Sequence, residues 1–264
     1  MKLHISNTQL LYLGLLATWR PKKLRLAAHS PTFFASVAKL LGIEIEIVET
    51  RLDYASEADV AHNFFETYEP RAQIVFQNAG TNVGEAKVFV KKSEGCVVAE
   101  FGDEEWYEKC RLFFRGGIEK GRLWNYDLAM FGLRSKEEPC EVANLEEKIA
   151  ASNEVVAYFE EKFAKNPYFD TLSIGTKTYK THYPILLKPA LYCPKEDIYA
   201  ALQDRGIDVQ VRFKPLYKLT PLQSASLPTS EELYKAIMLL PLRKDIVEPL
   251  FAVLGKYRYR GCSF

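Results

Sequence analysis

The chain has 264 residues, of which 48% are hydrophobic, 26% charged and 13% aromatic, which is the composition of a folded globular protein and not of a disordered one. Its 35 Lys and Arg residues almost balance 34 Asp and Glu residues, so the formal net charge is only +1. A balance this even excludes strong electrostatic binding of a nucleic acid backbone.

The first half of the chain alternates short strands with helices. Ile43, Ile45 and Ile47 alternate with glutamates, which is the period-two pattern of a half-buried strand. Ser56 and Asp59 resemble a capping box and indicate the start of a helix. We expect strands at 3–6, 24–28, 43–47, 71–77, 87–91 and 96–100, and helices at 8–19, 31–42, 56–68 and 103–114.

This alternation predicts an α/β fold with a mostly parallel sheet and helices on its faces. Ligands of such sheets bind beyond the carboxyl ends of the strands. The loops that fall there are 6–8, 29–33 and 77–84. In the first of them, Asn7 or Thr8 can cap the following helix through a side-chain oxygen.

The second half has a different rhythm after a Gly-Gly break at 116–117. We expect helices at 145–165, 195–205, 229–236 and 245–257, and strands at 171–174, 183–187, 209–213 and 239–241. The pattern is typical of a smaller α+β unit. We therefore divide the chain into a first domain over 1–115 and a second over 116–264.

The sequence argues against a metal site, a membrane span, a targeting segment and a disulfide. The four histidines lie far apart, so no metal site is expected. The apolar run at 10–17 is too short to span a membrane, and no targeting segment is evident. No CxxC spacing occurs, so we expect neither a zinc site nor a disulfide. We expect the thiols to be reduced, as is typical of the cytoplasm. The cysteines are Cys96, Cys110, Cys140, Cys193 and Cys262.

Two lysines are candidates for covalent catalysis. Lys91 and Lys92 end an apolar strand, where a lysine that faces a cleft can form a Schiff base when burial lowers its pKa. The alternative is an exposed strand end without a chemical role. The spacing alone leaves both interpretations open.

Several segments resemble the DegT/StrS family of pyridoxal-phosphate sugar aminotransferases. They are KNPYF at 165–169, YPILL at 183–187, GIDVQVRFKPLY at 206–217 and the stretch from 227 to 241, with a fainter similarity of SNTQLL at 6–11. The resemblance implies a truncated fold type I aminotransferase. It would combine a shortened, mostly parallel large domain with flanking helices and a smaller α+β C-terminal domain.

The resemblance also implies site residues. Asn7 and Thr8 would receive the cofactor phosphate at a helix N-terminus, Phe33 would stack on the pyridine, and Asn78 would contact its nitrogen. The catalytic lysine would be Lys92 or Lys91, if the protein is active. The cofactor would be pyridoxal phosphate, and no metal is implied.

Three departures from the family pattern affect the catalytic parts. The family has a pair of aspartates, one of which binds the pyridine nitrogen, where this chain has Gln77 and Asn78. An amide cannot stabilise a pyridinium as a carboxylate does. The segment around the lysine is contracted. The segment that reaches the partner subunit is reduced to Gly132, Leu133 and Arg134.

We therefore expect a degenerate, non-catalytic relative with a binding or assembly role, as a homodimer or paired with a full-length relative. The alternative is an active aminotransferase on a 4-keto UDP-sugar in surface-glycan or flagellin-sugar biosynthesis. A third hypothesis is that the old pocket binds a nucleotide sugar or another anionic small molecule without any cofactor.

Overall fold

The computed structural model describes residues 1–93, 95–120, 126–137, 140, 142–189, 191, 194–222 and 227–257. The helices are α1 Thr8–Trp19, α2 Thr32–Leu40, α3 Glu104–Phe114, α4 Leu145–Phe163, α5 Lys195–Gln203, α6 Pro228–Ala236 and α7 Val247–Leu254. None of the helices in this part of the chain is long and apolar enough to cross a membrane.

The first half forms one seven-stranded sheet. Its strands are β1 Lys2–His4, β2 Lys23–Ala27, β3 Glu44–Val48, β4 Val60–His62, β5 Arg71–Asn78, β6 Glu85–Ser93 and β7 Cys96–Phe101. They lie in the order β1-β7-β6-β5-β4-β2-β3. The pairs from β3 to β6 are parallel and β7 is antiparallel to both of its neighbours, so the expected mostly parallel sheet is confirmed.

Helices α1, α2 and α3 pack around this sheet, and the expected cap of α1 at Asn7 is confirmed. The Asn7 side chain accepts a hydrogen bond from the Leu10 N–H at 2.9 Å, and Asp103 does the same for Trp106 at 3.1 Å. These caps satisfy N–H groups that a helix start leaves free. The first hydrophobic core lies between α1, α2, α3 and the sheet, and it also takes in Leu216 from the second half.

The second half contains two small sheets and a separate core. Strands β10 Phe169–Thr171, β11 His182–Leu187 and β12 Ile237–Pro241 form an antiparallel sheet, and β8 Ile118–Lys120 pairs with β9 Tyr126–Leu128. The second hydrophobic core joins α4, α5 and α7 to β11 and β12. The domain boundary between 115 and 116 stays a prediction.

The expected helix at 56–68 is wrong. Asp59 does not cap a helix, because its carboxylate accepts hydrogen bonds from the Arg25 backbone N–H and guanidinium, both at 2.8 Å. The next three residues are strand β4, which is buried between β2 and β5. Three residues are too few to show a strand period, so the tertiary pairing decided the structure.

The expected strand at 209–213 is also wrong. Gln210 forms one isolated antiparallel bridge with Leu239, and the residues after it run as irregular chain towards Leu216. The expected strand at 171–174 begins earlier, at Phe169, and ends at Thr171. Side-chain alternation cannot distinguish an extended connection from a strand when no neighbour supplies a full ladder.

The expectation of free thiols is contradicted at two of the five cysteines. Cys96 and Cys140 form a disulfide, with their Cα atoms 5.7 Å apart, whereas Cys110 is free and buried. Cys193 and Cys262 lie outside the described residues. The pairing joins β7 to a segment that folds back after β9, a tertiary contact that cysteine spacing does not encode.

Candidate functional site

Two adjoining cavities open at the carboxyl ends of the parallel strands. The first has a volume of about 610 Å³ and is lined by Asn7, Thr8, Phe33 and Lys92, among others. The second has a volume of about 330 Å³ and is lined by Asn78 and, again, Lys92. The two cavities share a wall made of His62, Phe64, Lys92, Ser93, Gly95, Arg212 and Phe213.

The two candidate lysines face opposite sides of the sheet, as successive residues of a strand must. Lys92 is exposed and lines both cavities. The Lys91 ammonium forms an ion pair with Glu100 at 2.7 Å and is not among the residues that line either cavity. Of the two, only Lys92 is placed to meet a ligand in these cavities.

The N-terminus of α1 points its first turn at the first cavity. Ser6, Asn7, Thr8 and Gln9 line it, as does Arg212. The N-terminus of a twelve-residue helix carries free N–H groups and a partial positive charge, both of which favour an anion. The Asn7 side-chain oxygen accepts the capping hydrogen bond, and the donors at this end are backbone N–H groups, the Asn7 amide nitrogen and the Thr8 hydroxyl.

Gln77 and Asn78 have different surroundings although they are adjacent. Gln77 is fully buried and holds its own loop, donating to the Thr81 carbonyl at 2.8 Å and accepting from the Val83 N–H at 3.1 Å. Asn78 is paired in register with Lys92 on the neighbouring strand and donates to the Phe64 carbonyl at 3.0 Å. Asn78 lines the second cavity and not the first.

The shared wall contains two polar side chains without a hydrogen-bond partner. His62 is 8% exposed, and both its ring nitrogens are unpaired within the described structure, as is the buried Ser93 hydroxyl. Burial, and next the charge of Arg212, lower the pKa of His62 to about 3, so its ring is neutral. An unpaired buried polar group costs free energy that a bound ligand can recover.

The second half of the chain supplies the remaining wall. Arg212 and Phe213 line both cavities, and the Phe213 ring meets the His62 ring edge-on, with centroids 5.2 Å apart. Phe64 meets the same His62 ring at 4.2 Å. The site therefore combines two cations, Lys92 and Arg212, with an aromatic cluster around a neutral imidazole.

The described residues that line the two cavities include no Asp or Glu. They also form no cluster of His, Cys, Asp or Glu side chains that could hold a metal ion. Within the described lining, two cations and no carboxylate favour an anionic ligand.

The chain belongs to the DegT/DnrJ/EryC1/StrS aminotransferase family, whose model matches residues 85–249. It is 31% identical over 192 residues to a UDP-4-amino-4,6-dideoxy-N-acetyl-beta-L-altrosamine transaminase of Campylobacter jejuni, which covers 64% of this chain and 50% of the relative. A transaminase of the same name from Helicobacter pylori is 27% identical over 165 residues, 58% of this chain and 44% of the relative. The chain thus spans about half the length of these curated relatives.

Solved structures of sugar aminotransferases share its fold. Helicobacter pylori PseC, an aminotransferase involved in the biosynthesis of pseudoaminic acid, superposes with a TM-score of 0.76 at 17% identity, over 97% of this chain and 86% of that one. The PLP-form of Spr1654 from Streptococcus pneumoniae gives 0.74 at 13% identity, over 98% and 88%. The expected family and the fold type I architecture are confirmed.

The residues of this chain do not fit pyridoxal phosphate as an electron sink. The ring nitrogen would face the Asn78 amide, which carries no charge to hold a pyridinium. The Asn78 amide N–H already donates to the Phe64 carbonyl at 3.0 Å, and the described lining of the two cavities contains no Asp or Glu. No catalytic step through this cofactor is therefore derived.

Six residues of the shared wall were not predicted as site residues: His62, Phe64, Ser93, Gly95, Arg212 and Phe213. His62 lies in the segment 56–68, which was wrongly predicted as a helix. Arg212 and Phe213 lie in the segment 209–213, which was wrongly predicted as a strand. One signal was present, since Arg212 and Phe213 lie in the segment 206–217 that carries the family resemblance. Ser93 follows Lys92 directly and had no signal of its own.

The buried histidines predict acid sensitivity. Burial lowers the pKa of His29 to about 4 and that of His62 to about 3, whereas both titrate near 6.5 in the unfolded chain. Below pH 6.5 the unfolded chain binds more protons, so we expect the free energy of unfolding to fall as the pH drops from 7 to 4, by about 1.4 kcal/mol per pH unit for each histidine. Urea denaturation at pH 7, 6, 5 and 4 measures this. The variant His62→Asn should give a slope shallower by that amount, and an equal slope would contradict the assignment.

Proposed function

We propose that this family member does not catalyse transamination and binds an anionic small molecule, a nucleotide sugar or a similar phosphate ester, across the two cavities. The observation that carries the proposal is the pair of cations, Lys92 and Arg212, in a site whose described lining has no carboxylate. Transamination needs the opposite arrangement beside the pyridine ring, a carboxylate that holds the nitrogen protonated.

The loss of catalysis follows from the change at Asn78. The carbanion formed during amino transfer is stabilised by a protonated ring nitrogen, and a neutral amide does not keep the nitrogen protonated. The lysine alone does not compensate, because it forms and breaks the bond to the cofactor without supplying the electron sink. The family relationship therefore supports an aminotransferase fold, and the residues of the site support the binding of an anionic ligand.

The ligand is held by three kinds of contact in this proposal. Its phosphate lies between the N-terminus of α1 and the cations Lys92 and Arg212. Its neutral polar groups pair with His62 and Ser93, whose side chains have no other described partner. Its apolar surface rests on the ring of Phe213. Each contact uses a group that the fold has already placed.

The variant Arg212→Gln is expected to weaken the binding of UDP-N-acetylglucosamine or UMP by about 10- to 100-fold, because one charge-assisted contact is lost. Isothermal titration calorimetry measures the change, and a rise in melting temperature with ligand reports the same binding. The matched control is Arg243→Gln, which removes an exposed arginine that pairs with Asp245 and lies outside both cavities. Equal affinity in wild type and Arg212→Gln would overturn the proposed binding mode.

A second candidate function is an active sugar aminotransferase. One observation favours it: Lys92 lines the same cavity as Asn7, Thr8 and Phe33, so a lysine, an anion site and an aromatic ring are together. In that case Lys92→Ala would abolish covalent attachment of pyridoxal phosphate, and Lys91→Ala would leave it unchanged.

Assembly and location belong to the same proposal. The family resemblance supports a homodimer or a pair with a full-length relative. The cytoplasmic location is proposed from the lack of an evident targeting segment or membrane span in the sequence. Light scattering on the purified protein should give twice the mass of one chain. The mass of a single chain at micromolar concentration would contradict the homodimer.

A further inference from the structure

The disulfide lies at the edge of the proposed binding site. Cys96 lines the first cavity together with Gly95 and Val97. It is the first residue of β7, and across the hairpin it pairs with Ser93, the residue after Lys92. The sulfur of Cys96 is thus attached to the strand pair that carries Lys92 and Ser93 into the site.

The other sulfur belongs to a segment with few other attachments. The Cys140 N–H donates to the His4 Nδ1 at 3.3 Å, and its Sγ lies 3.7 Å from the same nitrogen. Before it, the Ser135 N–H donates to the Phe114 carbonyl at 2.9 Å, and Glu137 lies 3.7 Å from Arg111. Among the described contacts of this segment, the disulfide is the one covalent link to the cavity wall.

We propose that the Cys96–Cys140 disulfide is a redox-reversible modification site that controls ligand affinity, and that its co-reactant is a dithiol reductant. The oxidised pair fixes the β6–β7 hairpin and with it Lys92 and Ser93. Reduction frees the hairpin from the segment around residue 140. The effect on affinity depends on the binding function proposed above, whereas the effect on the hairpin does not.

The two sulfurs differ in access, which sets the direction of attack. Cys96 is 5% exposed, whereas Cys140 is half-buried, so the reductant thiolate reaches the Cys140 sulfur. That attack forms a mixed disulfide with Cys140 and releases the Cys96 thiolate, which takes up a proton. The second thiol of the reductant then displaces Cys140 and closes its own disulfide. Two electrons and two protons pass from the dithiol to the cysteine pair.

The remaining described thiol does not compete in this exchange. Cys110 is completely buried in the first core, and burial raises the pKa of its thiol to about 12. A buried protonated thiol is a poor nucleophile. Among the described cysteines, reduction and reoxidation therefore concern the Cys96–Cys140 pair.

The experiment compares oxidised wild-type protein with protein reduced by dithiothreitol. Three quantities are measured: iodoacetamide labelling by peptide mass, amide hydrogen exchange of residues 91–97, and affinity for UDP-N-acetylglucosamine. We expect labelling of Cys96 and Cys140 only after reduction, exchange of the hairpin faster by about tenfold, and affinity weaker by about tenfold through lost preorganisation. The variant Cys140→Ser should match the reduced state and not respond to dithiothreitol.

Each outcome has a separate meaning. Labelling of Cys96 without reductant, or equal hairpin exchange in both redox states, would overturn the inference whatever the ligand does. Equal affinity in both states would overturn the control of binding. If the oxidised protein binds no probe, the proposed function fails, and the hairpin exchange alone decides whether the cysteine pair is a structural switch.

Discussion

Replacing Lys180 with Met is expected to lower the free energy of unfolding by about 3–5 kcal/mol, because it leaves the buried Glu66 carboxylate without its partner. The two side chains are 0% and 1% exposed, and the Lys180 Nζ lies 3.3 Å from the Glu66 Oε1. The same ammonium donates to the Thr178 carbonyl at 2.6 Å. Burial lowers the pKa of Lys180, and the charge and hydrogen bond of Glu66 act against that shift.

This pair joins the two halves of the chain. Glu66 lies in the loop before β5, whereas Lys180 precedes β11, and the Glu66 Oε2 also accepts the Lys177 N–H at 2.9 Å. The neighbours of Lys180, Tyr179 and Thr181, line the second cavity. Loss of the pair should therefore destabilise the protein and also disturb this wall of the site.

The matched control is Lys177→Met, which removes an exposed lysine 3.5 Å from Glu69 and three residues away in the chain. A surface pair of this kind contributes about 0–1 kcal/mol. The double variant Glu66→Leu with Lys180→Met should recover much of the loss, since no unpaired charge remains buried. Urea denaturation compares all four proteins. A loss in Lys180→Met no larger than in Lys177→Met would contradict the role of the pair.

Reducing the disulfide is expected to lower the free energy of unfolding by about 2–4 kcal/mol. Cys96 and Cys140 are 44 residues apart in sequence, and opening a loop of that length returns conformational entropy to the unfolded chain. For a chain of this size the melting temperature should fall by roughly 4–16 °C. The measurement is thermal unfolding with and without dithiothreitol. The variant Cys140→Ser should show the lower value in both conditions, and a response of that variant to dithiothreitol would assign the effect to another thiol.

The sequence was sufficient to predict the strands and helices that are marked by neighbouring residues, such as an alternating pattern or a helix cap. The alternation around Ile45 predicted β3, and Asn7 predicted the start of α1 through its cap. The same local logic failed at 56–68. There, the buried strand β4 is three residues long, and Asp59, which resembled part of a cap, pairs with Arg25 from another strand.

The only site residues that could be predicted are those implied by the family resemblance. Asn7, Thr8, Phe33 and Lys92 were proposed, and the structure places all four on one cavity. His62 and the Cys96–Cys140 pair depend on contacts between distant segments, which neither spacing nor periodicity contains. Spacing and family resemblance could not decide which of Lys91 and Lys92 faces the site. Side chains alternate along β6, and the ion pair of Lys91 with Glu100 therefore places Lys92 on the opposite side, towards the cavities.

The absence of transamination is tested most directly by adding pyridoxal phosphate to the purified protein, reducing with borohydride and mapping modified lysines by peptide mass. We expect no transfer of an amino group from glutamate to a 4-keto UDP-sugar, even where Lys92 is labelled, because the neutral Asn78 amide does not supply the electron sink. Labelling of Lys92 together with amino transfer would contradict this expectation and would establish the aminotransferase.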